Sequence, residues 1–164
     1  LLLNVSFGEQ ETYTMVTAMK NLAQGDIDDF VDFVRKYLRH SVSYFDGEKK
    51  QPEKPYPLLI LGMAAFFANT HHVRSERESG NGRYDIGLEP KDKKKKGIII
   101  EIKAAKEGEN LKQEAQKAYD QILKREYKTE MQSRGVEDFV LLGMAFQGKE
   151  IKVVTNRVRK NRNP

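Results

Sequence analysis

The chain of 164 residues contains no cysteine. That absence excludes disulfides, thiol nucleophiles and cysteine-ligated zinc together, and it fits a reducing, cytoplasmic interior. Long hydrophobic runs are missing too. The longest, Leu58 to Ala68, is about half of the ~20 residues that a bilayer span needs. There is no signal-peptide pattern, no internal repeat and no low-complexity tract beyond a run of lysines. No membrane association is therefore expected. Hydrophobic residues make up 38% and charged residues 32%, a balance that suits one polar-surfaced domain, or one domain with a small helical annex. The first residue is Leu1 rather than Met, so the chain reads as a piece of a longer protein.

Charge of one sign is scarce at one end and abundant at the other. Residues 1–60 hold 7 Lys/Arg against 9 Asp/Glu, and residues 61–164 hold 22 against 15. The net charge of +5 thus sits in the C-terminal two-thirds, the part suited to a polyanion. Lys93, Lys94, Lys95 and Lys96 in one loop and Arg157 to Arg162 in the tail are its densest runs. Each run also reads simply as a solvated loop or tail.

Periodicity predicts helices over 9–24 and 27–40. Asp26 caps the second, and Ile27, Phe30, Val31, Val34 and Leu38 form its apolar face. Asp46 to Pro57 reads as a charged, proline-bearing linker, and Leu58 to Asn69 as a buried helix. Strands are predicted at 73–78, 83–88, 97–104, 139–146 and 151–154, with Ser79-Gly80-Asn81-Gly82 as a hairpin turn. The longest helix runs from Leu111 to Ser133, ended by Gly135, with Leu111, Ala115, Ala118, Ile122 and Arg125 along one side. Because it links strand 97–104 to strand 139–146, those two strands should pair in parallel. The expected product is a mixed sheet with helices packed on it.

The apolar strand Gly97-Ile-Ile-Ile-Glu-Ile-Lys-Ala104 carries two charges where none belongs, since an unpartnered buried ion costs several kcal/mol, roughly. Glu101 and Lys103 are two apart and share a face. With 79–82 as the turn, Glu78 lies opposite Arg83 and Glu76 opposite Asp85, all on one face. If that face also holds Glu101 and Lys103, three or four carboxylates converge beside one or two cations, an arrangement that a hard divalent ion resolves. A one-residue slip would turn Asp85 away. Glu-x-Lys occurs five times in the chain, but only this one interrupts a run of isoleucines.

The pattern Asp85…Glu101-Ile102-Lys103 resembles the PD-(D/E)XK nuclease superfamily, and within it the branch found at the C-terminus of AAA-ATPase-like proteins. The branch's Ser-x-x-Glu-Ser-Gly-x-Gly-Arg-x-Asp stretch is matched by Ser75 to Asp85. Its Ala-x-x-Gln-Ile helix with a following Tyr is matched by Ala118, Gln121, Ile122 and Tyr127, and its Phe-x-Gly-Lys turn by Phe146 to Lys149. The likeness covers about residues 20–155. The name-giving Pro is replaced by Tyr84, and a His that the branch often carries ahead of the first strand is replaced by Pro57.

The resemblance implies an α/β, restriction-endonuclease-like mixed sheet with an α-β-β-β-α-β core. It divides the chain into an N-terminal helical region (1–50), the nuclease-like domain (51–157) and a basic tail (158–164). It also implies a metal-dependent phosphodiesterase. Asp85 and Glu101, the carbonyl of Ile102 and Glu78 would hold Mg²⁺, for which Mn²⁺ would substitute. Lys103 would orient the attacking water, with Gln121 in support. The partner implied is nucleic acid, DNA first, bound through Lys93 to Lys96 and Arg83. An ATPase-like domain upstream is also implied, and homo-oligomerisation is left open. Two alternatives stand beside this reading. One is a catalytically silent nucleic-acid-binding or oligomerisation module, and the other is a structural salt-bridge cluster at Asp85, Glu101 and Lys103.

Other motifs are decoys. Gly143 to Lys149 imitates a phosphate-binding loop but fails at Glu150 and reads as a hairpin turn. His71 and His72 read as exposed strand histidines, and His40 as a partner of its helix end. Tyr13, Phe30, Phe33, Tyr37 and Phe45 read as an apolar seam.

Overall fold

The computed structural model describes the backbone of residues 9–40, 55–78 and 83–157, and the side chains of 14–40, 56–76 and 84–157. The expected 79–82 turn, most of the linker, Tyr13's side chain, Phe45 and the basic tail from 158 lie outside these residues. The element order is α1 (Glu9–Ala23), α2 (Asp28–His40), α3 (Pro55–Ala64), a short 3₁₀ turn (Ala65–Phe67), β1 (His71–Glu78), β2 (Arg83–Pro90), β3 (Gly97–Ala104), α4 (Leu111–Lys124), α5 (Glu126–Ser133), β4 (Phe139–Gln147) and β5 (Glu150–Thr155).

The five strands form one sheet in sequence order. Strands β1, β2 and β3 run as an antiparallel meander, β3 and β4 pair in parallel, and β5 returns antiparallel to β4. The register matches the expectation. Glu76 is opposite Asp85, Glu78 opposite Arg83, and Asp85 opposite Glu101. A parallel joint needs a crossover, and α4 with α5 supplies it.

Strand periodicity sorts the sheet into two faces. Ile86, Leu88, Ile98, Ile100, Ile102, Val140, Leu142, Met144 and Phe146 join the buried residues of α1, α2 and α3 in the larger core. Ile99, Phe139 and Leu141 point the other way and meet Ile122, Tyr127, Met131 and Val136 in a smaller core. The result is a helix–sheet–helix sandwich. Phe30 and Phe33 lie in the larger core, as the apolar-seam reading expects.

Three local departures have physical causes. Helix α3 begins at Pro55, earlier than expected, because prolines at 55 and 57 fall in a first turn whose N–H groups need no helical partner. The long helix is broken at Arg125, which is extended (φ −86, ψ 154). An unbroken helix at about 100° per residue would turn Tyr127 roughly 140° away from Ile122; the break resets the phase, so Tyr127 and Met131 face the sheet. His71 is buried, not exposed. Its Nδ1 lies 2.8 Å from the Thr70 hydroxyl and its ring packs edge-on against Phe67. Burial lowers its pKa.

Glycine matters at two places. Gly143 has the α4 backbone directly above it: a Cβ there would lie 2.6 Å from the carbonyl oxygen of Ala115 and closer still to the nitrogen of Tyr119. Gly148, with φ +57, makes the first position of the two-residue β4–β5 turn, as a hairpin of type II′ wants. The loop-like stretch 143–149 is therefore a strand end and a turn.

Candidate active site

Asp85, Glu101 and Lys103 lie on the sheet face covered by α4 and α5. Asp85 and Glu101 are direct cross-strand partners, and Lys103 is two residues further along β3. Asp85 is 2% exposed and Glu101 is 1% exposed, so this pair is walled off from bulk water. Directly opposite pairs bring Cβ atoms to about 4.5–5.5 Å, close enough for two carboxylates to share one cation.

Asp85 is fixed from two sides. Its Oδ1 accepts the backbone N–H of Glu76 at 3.1 Å, and its Oδ2 accepts from the Arg125 guanidinium. Burial pushes its carboxyl above the usual range. Arg125 opposes that shift, and the Glu76 charge adds to it. Tyr127 is buried beside the same group, and burial together with the charges of Asp85 and Glu76 raises its phenol well above the ordinary value. Arg74 closes this end, with its guanidinium 5.2 Å from the Tyr127 ring centroid and an ion pair of 2.9 Å to Glu130.

Lys103 is held by a residue that the sequence reading missed. Glu114, 2% exposed in the first turn of α4, pairs with Lys103 through one oxygen and with Lys117 through the other at 2.5 Å. Glu114, Ala118, Gln121 and Arg125 stand at i, i+4, i+7 and i+11, which is one helix stripe. That stripe runs back over β3, placing Glu114 at Lys103 and Arg125 at Asp85. The signal was present: Glu114 is a carboxylate beside the small apolar residues Ala115 and Ala118.

The remaining expected residues scatter. Gln121 is half-buried one turn before Arg125, whose N–H caps its carbonyl at 3.2 Å. The Ile102 side chain belongs to the opposite core, so the residue can offer a site ligand only through its backbone. The backbones of Glu78 and Arg83 lie in register beside the site, and their side chains fall outside the described residues. Among the described residues no three of His, Cys, Asp and Glu gather at metal-binding range. Among the described side chains the expected cluster of three or four carboxylates is reduced to the pair Asp85 and Glu101, because Glu76 contributes its N–H to Asp85 and exposes its side chain.

The lysine loop is not at the site. It joins the far ends of β2 and β3, roughly 17 Å from Asp85 at about 3.3 Å per residue. Lys93 is bonded to Glu89 at 2.7 Å and Lys96 is paired with Asp138, which leaves Lys94 and Lys95 as the exposed members of the 93–96 run; the exposed Lys91 donates to the Asn69 carbonyl at 3.2 Å.

A family model of the PD-(D/E)XK nuclease superfamily matches residues 51–156. The chain belongs to that superfamily. Comparison with curated proteins and with solved structures returned no match. The five-stranded mixed sheet flanked by helices is the restriction-endonuclease-like architecture of the superfamily.

The donor set fits a divalent cation. Two buried carboxylates and a backbone carbonyl are hard oxygen ligands, and Mg²⁺ is commonly held by one or two carboxylates with waters completing the shell. No described helix is long and apolar enough to cross a membrane.

Proposed function

We propose that this chain is a Mg²⁺-dependent nuclease domain that hydrolyses phosphodiester bonds, DNA being the first candidate substrate. The observation that carries the reading is the register that sets Asp85 against Glu101, both buried, with Lys103 beside them, inside the span that matches the superfamily. Asp85, Glu101 and the Ile102 carbonyl would hold the ion, with Glu78 as a further donor. When bound, the ion would polarise a phosphoryl oxygen and acidify a coordinated water. Lys103 would orient that water and offset charge on the phosphate, with its ammonium aimed by Glu114. Gln121 would support the same groups from α4.

Lys94 and Lys95 would touch the backbone away from the scissile bond. A separation of roughly 17 Å corresponds to about five base pairs at 3.4 Å each, so the substrate would be a duplex or a strand laid along the sheet. The likeness of Ser75–Asp85 and Ala118–Tyr127 to the AAA-ATPase-associated branch supports an ATPase-like domain upstream.

The test is incubation of the chain with plasmid and single-stranded DNA in Mg²⁺ or Mn²⁺. We expect cleavage that EDTA abolishes and that Lys103→Ala lowers at least 100-fold, on the scale of a lost charge-stabilising group. Salt-sensitive binding with no cleavage in either metal would replace this reading with that of a binding module.

A further inference from the structure

We propose that Arg125 is a built-in placeholder for the metal, occupying Asp85 until a divalent ion displaces it. The inference rests on the reading of Asp85 and Glu101 as metal ligands. It adds that the ion must compete with a residue of the chain itself.

The argument begins with the two oxygens of Asp85. One accepts the Glu76 N–H, a group fixed in strand β1 that cannot leave without breaking the sheet edge. The other accepts from Arg125. An ion shared by Asp85 and Glu101 competes for the lone pairs of Asp85, and of its two partners the side chain gives way more readily than the strand amide. Two like-signed cations at one carboxylate also repel strongly where water is scarce. Asp85, at 2% exposure, sits in such a place, so the dication and the guanidinium exclude one another.

Arg125 is built to move. Its backbone is pinned at the break between α4 and α5, where its N–H caps the carbonyls of Gln121 and Ile122. Its side chain is 20% exposed and so has a path to solvent. Glu76, exposed on the neighbouring strand, offers a second carboxylate close enough to act on both Asp85 and Tyr127. The arginine can therefore swing from a buried anion to an exposed one without unfolding either helix. In the metal-free protein it removes the cost of burying Asp85 alone.

The experiment titrates Mn²⁺ alone, without substrate, into the chain, Asp85→Asn, Arg125→Lys and Arg125→Met by calorimetry, with melting temperatures recorded in parallel. We expect the chain to bind Mn²⁺ and Asp85→Asn to lose at least tenfold in affinity. Arg125→Met should bind at least tenfold more tightly than the chain, with Arg125→Lys between them. Without metal, Arg125→Met should melt lower, and its gain on adding Mn²⁺ should exceed that of the chain. Unchanged or weaker affinity in folded Arg125→Met overturns the proposal and leaves the metal site standing. Equal affinity in the chain and Asp85→Asn overturns the metal site itself. A second measurement needs no variant. The Arg125 guanidinium protons, slowed in exchange by Asp85, should exchange faster at saturating Mg²⁺ by nuclear magnetic resonance. Protons that stay slow at saturation also overturn the proposal.

Discussion

Asp85 and Glu89 sit four residues apart on β2 and face the same helical layer, yet their surroundings drive them in opposite directions. Asp85 is pushed up, burial being the largest cause. Glu89 is pulled down to about 2, first by hydrogen bonds from Arg134, with Lys93 acting the same way against burial. Arg134 grips it through three hydrogen bonds of 2.8 to 3.1 Å, two donated by its Nε–H and one by Nη2. A depressed folded pKa means that Glu89 contributes stability above its unfolded value of 4.5, lost as pH falls from there towards 2. The half-exposed guanidinium is screened by solvent, so the contribution is smaller than the shift alone would give. Urea unfolding at pH 7, 4 and 2.5 should show Glu89→Gln less stable than the parent at pH 7 and nearly equal to it at pH 2.5. The residues of the candidate site were only partly legible in the sequence. Glu101 and Lys103 stood out because an isoleucine run has no solvated face on which to place them. Glu114 and Arg125 did not, because an amphipathic helix carries charges as a matter of course and only the sheet beneath shows which of them point inward.

At the scale of elements, α4 is the part on which the site depends. It carries Glu114, Gln121 and Arg125 at one fixed height above β3, and that height is set by Gly143, the β4 partner of Glu101. The atoms that a Cβ would meet there are backbone, which cannot rotate aside. Gly143→Ala should therefore lift α4 from the sheet and cost about 1–3 kcal/mol, the usual range for overpacking. Chemical denaturation measures the loss. The Lys103–Glu114 pair should loosen with it, so residual cleavage should fall by more than the unfolded fraction explains. Strand positions and register were readable ahead of the structure, since alternation and a turn signal determine both. The break at Arg125 was not, because helix propensity continues smoothly through Lys124-Arg125-Glu126 and the interruption answers to Tyr127 and Met131 meeting the sheet.

At the scale of the whole molecule, the described lysines of the 93–96 run divide into those paired within the fold and those that the proposed function would give to nucleic acid. Lys93 and Lys96 belong to the first group, Lys94 and Lys95 to the second. Replacing Lys94 and Lys95 together by Ala should leave the melting temperature unchanged. It should also reduce the slope of log affinity against log salt by about 1.8 on duplex DNA, at roughly 0.9 per phosphate contact. Lys93→Ala should do the reverse, lowering stability through Glu89 with little effect on that slope. Composition alone pointed to a polyanion, but could not say which lysines were already engaged, because Asp138 lies 42 residues from Lys96 and only the fold shows that Glu89, four residues before Lys93, meets it. The parallel β3–β4 joint has one more consequence. The chain must leave β3 just past Lys103 and climb through residues 105–110 to start α4 at Leu111, so one short connector joins the strand that carries Lys103 to the helix that carries its partner Glu114. Extra residues inserted between 105 and 110 would free the start of α4 while every strand pairing stayed intact, so the aim of the Lys103 ammonium would answer to a six-residue connector rather than to the sheet.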